Sequence, residues 1–162
     1  MRIIAALGQR GHVIGGADLV PWTNPDVHAQ ILDELKDQIL IMGRRAWQLF
    51  GHDLPYARAI VLSRRLSHSN RGPKGPLFVP NLGLALRKAA DFDADREVLV
   101  VGGASVFRQA LPLAQSMTLA WVKAPLEGDL RFPDFDERDW WVEDTWEHPS
   151  YEFLKYQRRS VA

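Results

Sequence analysis

Val98-Leu99-Val100-Val101 is an apolar, β-branched run that stops at Gly102-Gly103, after which Ala104-Ser105-Val106-Phe107 opens a helical pattern. A strand ending on two glycines before a helix suits an anion. Without a Cβ the backbone can be approached closely, and the first N–H groups of the helix present partial positive charge. Two more strand ends carry related chemistry. Met42-Gly43-Arg44-Arg45 follows an apolar run and opens another helix, and Leu62-Ser63-Arg64-Arg65 follows the next run with a hydroxyl and two guanidinium groups. Arginine forks match phosphate geometry and stay charged when partly desolvated. Each segment alone also suits an ordinary turn or a solvated arginine pair. Three of them at strand ends point to a ligand with several phosphates, a dinucleotide.

The elements that must position these residues follow from apolar periodicity. Short apolar runs recur at 3–7, 38–42, 59–63, 77–79, 98–101 and 117–122, with helical spacing between many of them, which predicts an α/β sheet buried on both faces. A helix is expected to start at Asn24-Pro25, with Asn as N-cap and Pro at its first position, and to run through Val27, Ile31, Leu32 and Leu35. Further helices are expected at 82–90, capped by Asn81, and at 105–111. Segment 67–76 collects Ser, Asn, Gly and Pro and reads as a surface loop. The strand-like segments 140–147 and 151–158 flank His148-Pro149-Ser150 and suggest a closing antiparallel hairpin, packed by Trp140, Trp141 and Trp146.

The composition narrows the partners. The chain has 162 residues, 46% hydrophobic and 25% charged, an ordinary balance for one globular domain spanning 1–162. Twenty basic residues balance twenty acidic ones, so no net field holds nucleic acid or an anionic membrane, and a small ligand gripped locally is expected. The absence of cysteine excludes disulfides, thiolate metal sites and a cysteine nucleophile. His12, His52, His68 and His148 show no metal-ligand spacing, and no metal site is expected. No run approaches the roughly 18 apolar residues of a membrane span, and the apolar start is too short for a signal peptide. A cytoplasmic protein, monomeric or weakly dimeric, is expected.

Ala5-Ala6, Val13-Ile14-Gly15, Pro21-Trp22, Ile41-Met42-Gly43-Arg44, Trp47, Leu54-Pro55, Val61-Leu62-Ser63, Val101-Gly102-Gly103, Glu127-Gly128-Asp129 and Phe132-Pro133-Asp134 occur in the order seen in dihydrofolate reductases. The chain resembles that family over nearly its whole length. The resemblance implies a mostly parallel, eight-stranded sheet with flanking helices and a terminal hairpin. It also implies NADPH as hydride donor, reduction of 7,8-dihydrofolate to tetrahydrofolate for one-carbon metabolism, and a mobile loop at 15–22 that closes over the nicotinamide, with Trp22 in the catalytic set. Carried over by position, Gly43, Arg44, Arg45, Leu62, Ser63 and Arg64 would form the ribose-phosphate side. Ala6, Ile14 and Gly15 would flank the nicotinamide, while Val101, Gly102, Gly103, Ala104, Ser105, Val106 and Phe107 would cradle the pyrophosphate. Ile4, Val27, Ile31, Leu54, Arg58 and Ala120 would line the substrate side.

The substrate side departs from the family pattern. The family usually reads Pro-Trp-x-x-Pro-x-Asp or Glu, and here Val27 occupies the carboxylate position, with Asp26 beside it. Asp26 takes the catalytic role if the helix starts one residue out of register; otherwise it is a first-turn acid favoured by the helix dipole. The family's Pro-Gly-Arg, whose arginine holds the glutamate α-carboxylate, reads Pro55-Tyr56-Ala57-Arg58 here, with the arginine displaced by one. Ala120 falls where a threonine is usual and Phe107 where a tyrosine is common. His28 is a new polar group in this region, either a substitute proton donor or a solvent-facing helix residue. Three readings follow: a dihydrofolate reductase using Asp26; a reductase of the same fold acting on another small imine or carbonyl compound; and a nucleotide-binding module without turnover.

Overall fold

A computed structural model describes residues 1–15, 24–65 and 75–160. In chain order the elements are β1 (Arg2–Gly8), β2 (Val13–Gly15), α1 (Pro25–Leu35), β3 (Ile39–Gly43), α2 (Arg44–Leu49) and β4 (Arg58–Leu62). They continue with β5 (Leu77–Val79), α3 (Leu82–Ala90), β6 (Val98–Gly102), α4 (Ala104–Ala110) and β7 (Ser116–Val122). The last are β8 (Leu130–Arg131), β9 (Trp140–His148) and β10 (Tyr151–Arg158). Eight strands form one sheet in the order β5-β4-β3-β6-β1-β7-β10-β9. Six of them run parallel, and β10 pairs antiparallel with both β7 and β9, giving the terminal hairpin. The expected α/β class, the helices on both faces and the hairpin are all present.

The strands are apolar throughout because both faces are covered, and successive side chains alternate between the two. Ile3, Ala5 and Leu7 join a cluster with α3 and α4, whereas Ile4 and Ala6 join one with α1 and α2. On α1, Asn24 accepts from the N–H groups of Asp26 at 3.0 Å and Val27 at 3.5 Å, and Pro25 takes the first helical turn, where no N–H donor is needed. Val27, Ile31 and Leu35 repeat at four-residue spacing and are fully buried against the sheet. Arg2 ties the far end of that helix down: its Nη1 donates to Glu34 at 2.8 Å and to Thr118 at 3.0 Å.

One expectation changes. Trp140 is buried with the Arg158 guanidinium 4.3 Å from its ring centroid, but Trp141 and Trp146 are exposed on β9 rather than packed into the hairpin. β9 is the last strand of the sheet, and neither apolar cluster reaches past its first residue. The short β2–β8 pair was not legible as strands, and most of the expected loop at 67–76 lies outside the described residues.

Candidate active site

Parallel strands place all their carboxyl ends on one edge of the sheet, where open α/β folds bind ligands. Along this edge the ends of β4, β3, β6 and β1 border a cavity of about 1190 Å³. That exceeds the roughly 300–1,000 Å³ of a single small-molecule pocket and leaves room for two ligands.

One part of the wall is made of glycine turns and guanidinium groups. Gly43, Arg44 and Arg45 come from the β3–α2 turn, Leu62, Ser63 and Arg64 from the end of β4, and residues 101–107 from the β6–α4 turn. A Cβ on Gly43 would stand 3.3 Å from Val106 Cγ2, so the end of β3 approaches α4 as closely as glycine permits. Gly102 has φ +137°, which L side chains rarely adopt, whereas a Cβ on Gly103 would meet nothing within 4 Å. Gly103 thus opens onto the cavity while the chain before it is sterically fixed. Neither α2 nor α4 has a side-chain cap at its start. Ser63 is buried; its Oγ accepts from the Arg65 N–H at 3.3 Å, which leaves its own O–H free to donate. The guanidinium heads, the hydroxyl and the uncovered glycine fit a phosphorylated dinucleotide. Arg108 adds a guanidinium one turn beyond Ala104 on the same helix face, beyond the stretch singled out in the sequence.

The other part of the wall is mostly apolar. It is formed by Ile4, Ala5 and Ala6 of β1, Ile14 and Gly15 of β2, and Pro25, His28 and Leu32 of α1, with Leu49 at the end of α2 and Phe50, Asp53 and Leu54 beyond it. Pro25, His28 and Leu32 recur at helical spacing and form one stripe, the neighbour of the buried Val27–Ile31–Leu35 stripe. His28 therefore faces the cavity. Leu32 and Phe50 were not singled out as site residues, although the spacing of Leu32 from His28 carried the signal.

Not every expected site residue reaches this cavity. Asp26 is on the opposite side of α1: its carboxylate is more than half exposed, and Oδ2 stands 4.0 Å from His148 Nε2 of the hairpin. The helix begins in the ungapped register, so the acid satisfies the first turn and not the cleft. Burial pushes the Tyr151 phenol up, and the nearby Asp26 carboxylate adds to the shift. Arg58 opens β4 with its guanidinium 5.0 Å from the ring centroid of Phe92, against the cluster on the α3 side of the sheet. Val27 and Ile31 are wholly buried beneath α1, and Ala120 is covered between Ala6 of β1 and Phe153 of β10. None of these five lines the cavity. Ile4, Leu54 and Phe107 do. Trp22 and the rest of the 16–23 segment lie outside the described residues.

The family model for dihydrofolate reductase matches residues 1–160. The chain is 30% identical over 148 residues to dihydrofolate reductase type 3 of Salmonella typhimurium, covering 91% of this chain and 87% of that protein. It is 33% identical over 139 residues to the dihydrofolate reductase of Neisseria gonorrhoeae, covering 85% and 82%. Among solved structures, dihydrofolate reductase from Enterococcus faecalis complexed with NADP(H) and RAB-propyl superposes with a TM-score of 0.79 at 24% identity, covering 98% of this chain and 96% of that one. The fold is thus shared across the whole sheet, and with a family match spanning nearly all of its residues the chain belongs to the dihydrofolate reductase family.

Proposed function

We propose that this chain is an NADPH-dependent oxidoreductase that reduces 7,8-dihydrofolate to tetrahydrofolate, with NADPH along the glycine and arginine wall and the pterin ring along the β1–α1 wall. One observation carries the reading: a single cavity joins the turns suited to phosphate with an apolar compartment lined by Ala6, Ile14 and His28. NADPH, when bound, supplies the hydride, which adds to C6 of the substrate's C6=N5 imine while N5 takes a proton.

The chain supplies grip, alignment and an apolar wall. Arg44, Arg45, Arg64 and Ser63 hold the ribose-phosphate end, with the extra positive charge suited to a 2′-phosphate. Residues 101–107 hold the pyrophosphate against the β6–α4 turn. Ala6, Ile14 and Gly15 offer a small, apolar surface to the nicotinamide. Asp26 being outside the cavity, His28 takes the polar role: it lines the β1–α1 compartment, where its imidazole delivers or relays a proton.

A second reading is favoured by the absence of Asp26, Arg58 and Ala120 from the cavity wall: a reductase of the same fold acting on another small imine or carbonyl compound. Steady-state oxidation of NADPH by the purified protein, followed with and without 7,8-dihydrofolate, separates the two. Oxidation that depends on dihydrofolate is the expected result. Tight NADPH binding without dihydrofolate-dependent oxidation would move the assignment to the second reading.

A further inference from the structure

The cavity is electrostatically one-sided. Among its described lining residues the cationic side chains are Arg44, Arg45, Arg64 and Arg108, and all four come from α2, the end of β4 and α4. The wall built by α1, the last residue of α2 and the segment after it carries Leu32, Leu49, Leu54 and the carboxylate of Asp53, with the imidazole of His28. Asp53 is at the solvent edge of this wall, with its side chain largely exposed. The nearest basic ring, His52, is committed to the turn itself: Nδ1 shares a hydrogen bond with the Trp47 carbonyl at 3.1 Å, and Nε2 stands 3.4 Å from Asp53 Oδ2. Arg58, close in sequence, has its guanidinium over Phe92 on the α3 side.

A substrate whose ring lies between β1 and α1 extends its remainder past this outer wall. An anionic tail there meets leucines and a carboxylate and no arginine or lysine among the described lining residues. Since like charges in proximity repel and an unpaired carboxylate gains nothing from an apolar wall, the tail adds no affinity. We infer that this site selects dihydropterins by their ring and is indifferent to a glutamate tail, so that dihydropterins lacking the glutamate bind as well as dihydrofolate. The inference rests on the assignment of the β1–α1 compartment to a pterin ring, and it names Asp53 and Leu49 as specificity-determining positions at the rim.

The test compares 7,8-dihydrofolate with 7,8-dihydropteroate, which keeps a benzoate carboxylate but lacks the glutamate. Their dissociation constants for the protein saturated with NADP⁺ are measured by calorimetry, and their NADPH-dependent turnover is measured separately. The expected binding ratio is within about threefold, insensitive to added salt. Asp53→Arg, at an exposed position, is expected to shift that ratio about tenfold toward dihydrofolate, and a Leu49→Arg variant at a second exposed position to shift it the same way. Dihydrofolate binding about tenfold or more tightly than dihydropteroate in the wild type would overturn the inference while leaving the reaction intact, and an unmoved ratio in both variants would overturn the rim assignment. Equal binding without turnover would uphold the inference and overturn the reaction. Failure of both compounds to bind would overturn both.

Discussion

At the β3–β4–β6 edge the cavity wall is built around glycine turns and arginines, and where α1 faces β1 it is mostly alanine, isoleucine and leucine, with a histidine from the helix. The first is built from local segments in which strand, turn and first helical residue are consecutive, so its chemistry is fixed by short stretches such as 43–45 and 101–107. The second is assembled by α1 lying across the sheet, and its chemistry depends on which stripe of that helix faces the cleft. One residue of register exchanges Asp26 for Val27, a rotation of about 100°. Phosphate recognition therefore tolerates divergence better than ring recognition, because backbone turns and long arginines keep their role where a single helix-borne carboxylate cannot.

Filling the open side of Gly103 breaks the comparison most severely. Gly103→Leu places a side chain where nothing stands within 4 Å, so the melting temperature is expected to change by no more than a few degrees, while NADPH affinity falls by more than about a hundredfold in calorimetry. Unchanged affinity would remove the pyrophosphate from the β6–α4 turn. At the other edge, His28→Leu is expected to lower kcat/KM for dihydrofolate about thirtyfold at neutral pH with the NADPH dissociation constant unaltered. That is less than a general acid commonly contributes, because water also reaches an open cavity. Equal turnover in the variant would show that water alone supplies the proton.

Smaller effects sharpen the division. Arg44→Ala and Arg64→Ala should each weaken NADPH about tenfold and NADH far less, measured by quenching of tryptophan fluorescence. Equal losses for the two cofactors would contradict the 2′-phosphate assignment. Asp26→Asn should change kcat/KM by less than about twofold, since its carboxylate is outside the cavity beside His148; a large loss would return it to the mechanism. The smallest effect lies on that outer side. The buried Tyr151 phenol titrates above its ordinary value of 10.0, so the fold favours the protonated form; the associated stability is present below that pH and declines above it. Tyr151→Phe should flatten the alkaline end of the stability curve in denaturant titrations, and a curve parallel to the wild type would show that the shift has no thermodynamic weight.

The sheet was legible because β1, β3, β4, β6 and β7 are apolar on both faces, which leaves continuous runs in the sequence. β2 and β8 were not, at three and two residues, since no periodicity exists at that length. Trp141 and Trp146 misled because their size suggests burial, whereas the edge position of β9 leaves them in solvent. In the site, the residues of 43–45, 62–64 and 101–107 were readable from consecutive letters, while Arg108 required following α4 one turn further. Asp26 and Arg58 each neighbour a position of the family pattern, and only the register of α1 and of β4 determines which side of the sheet they occupy.

The central claim is that an intact cofactor wall operates with a substrate wall on which α1 presents His28 rather than a carboxylate. The most direct test is single-turnover hydride transfer from NADPH to 7,8-dihydrofolate at neutral pH, in the wild type, in His28→Leu and in His28→Leu with added imidazole. The expected result is transfer in the wild type, a rate about thirtyfold lower in the variant and partial recovery with imidazole. Equal rates in the wild type and the variant, or no transfer from bound NADPH in the wild type, would contradict it.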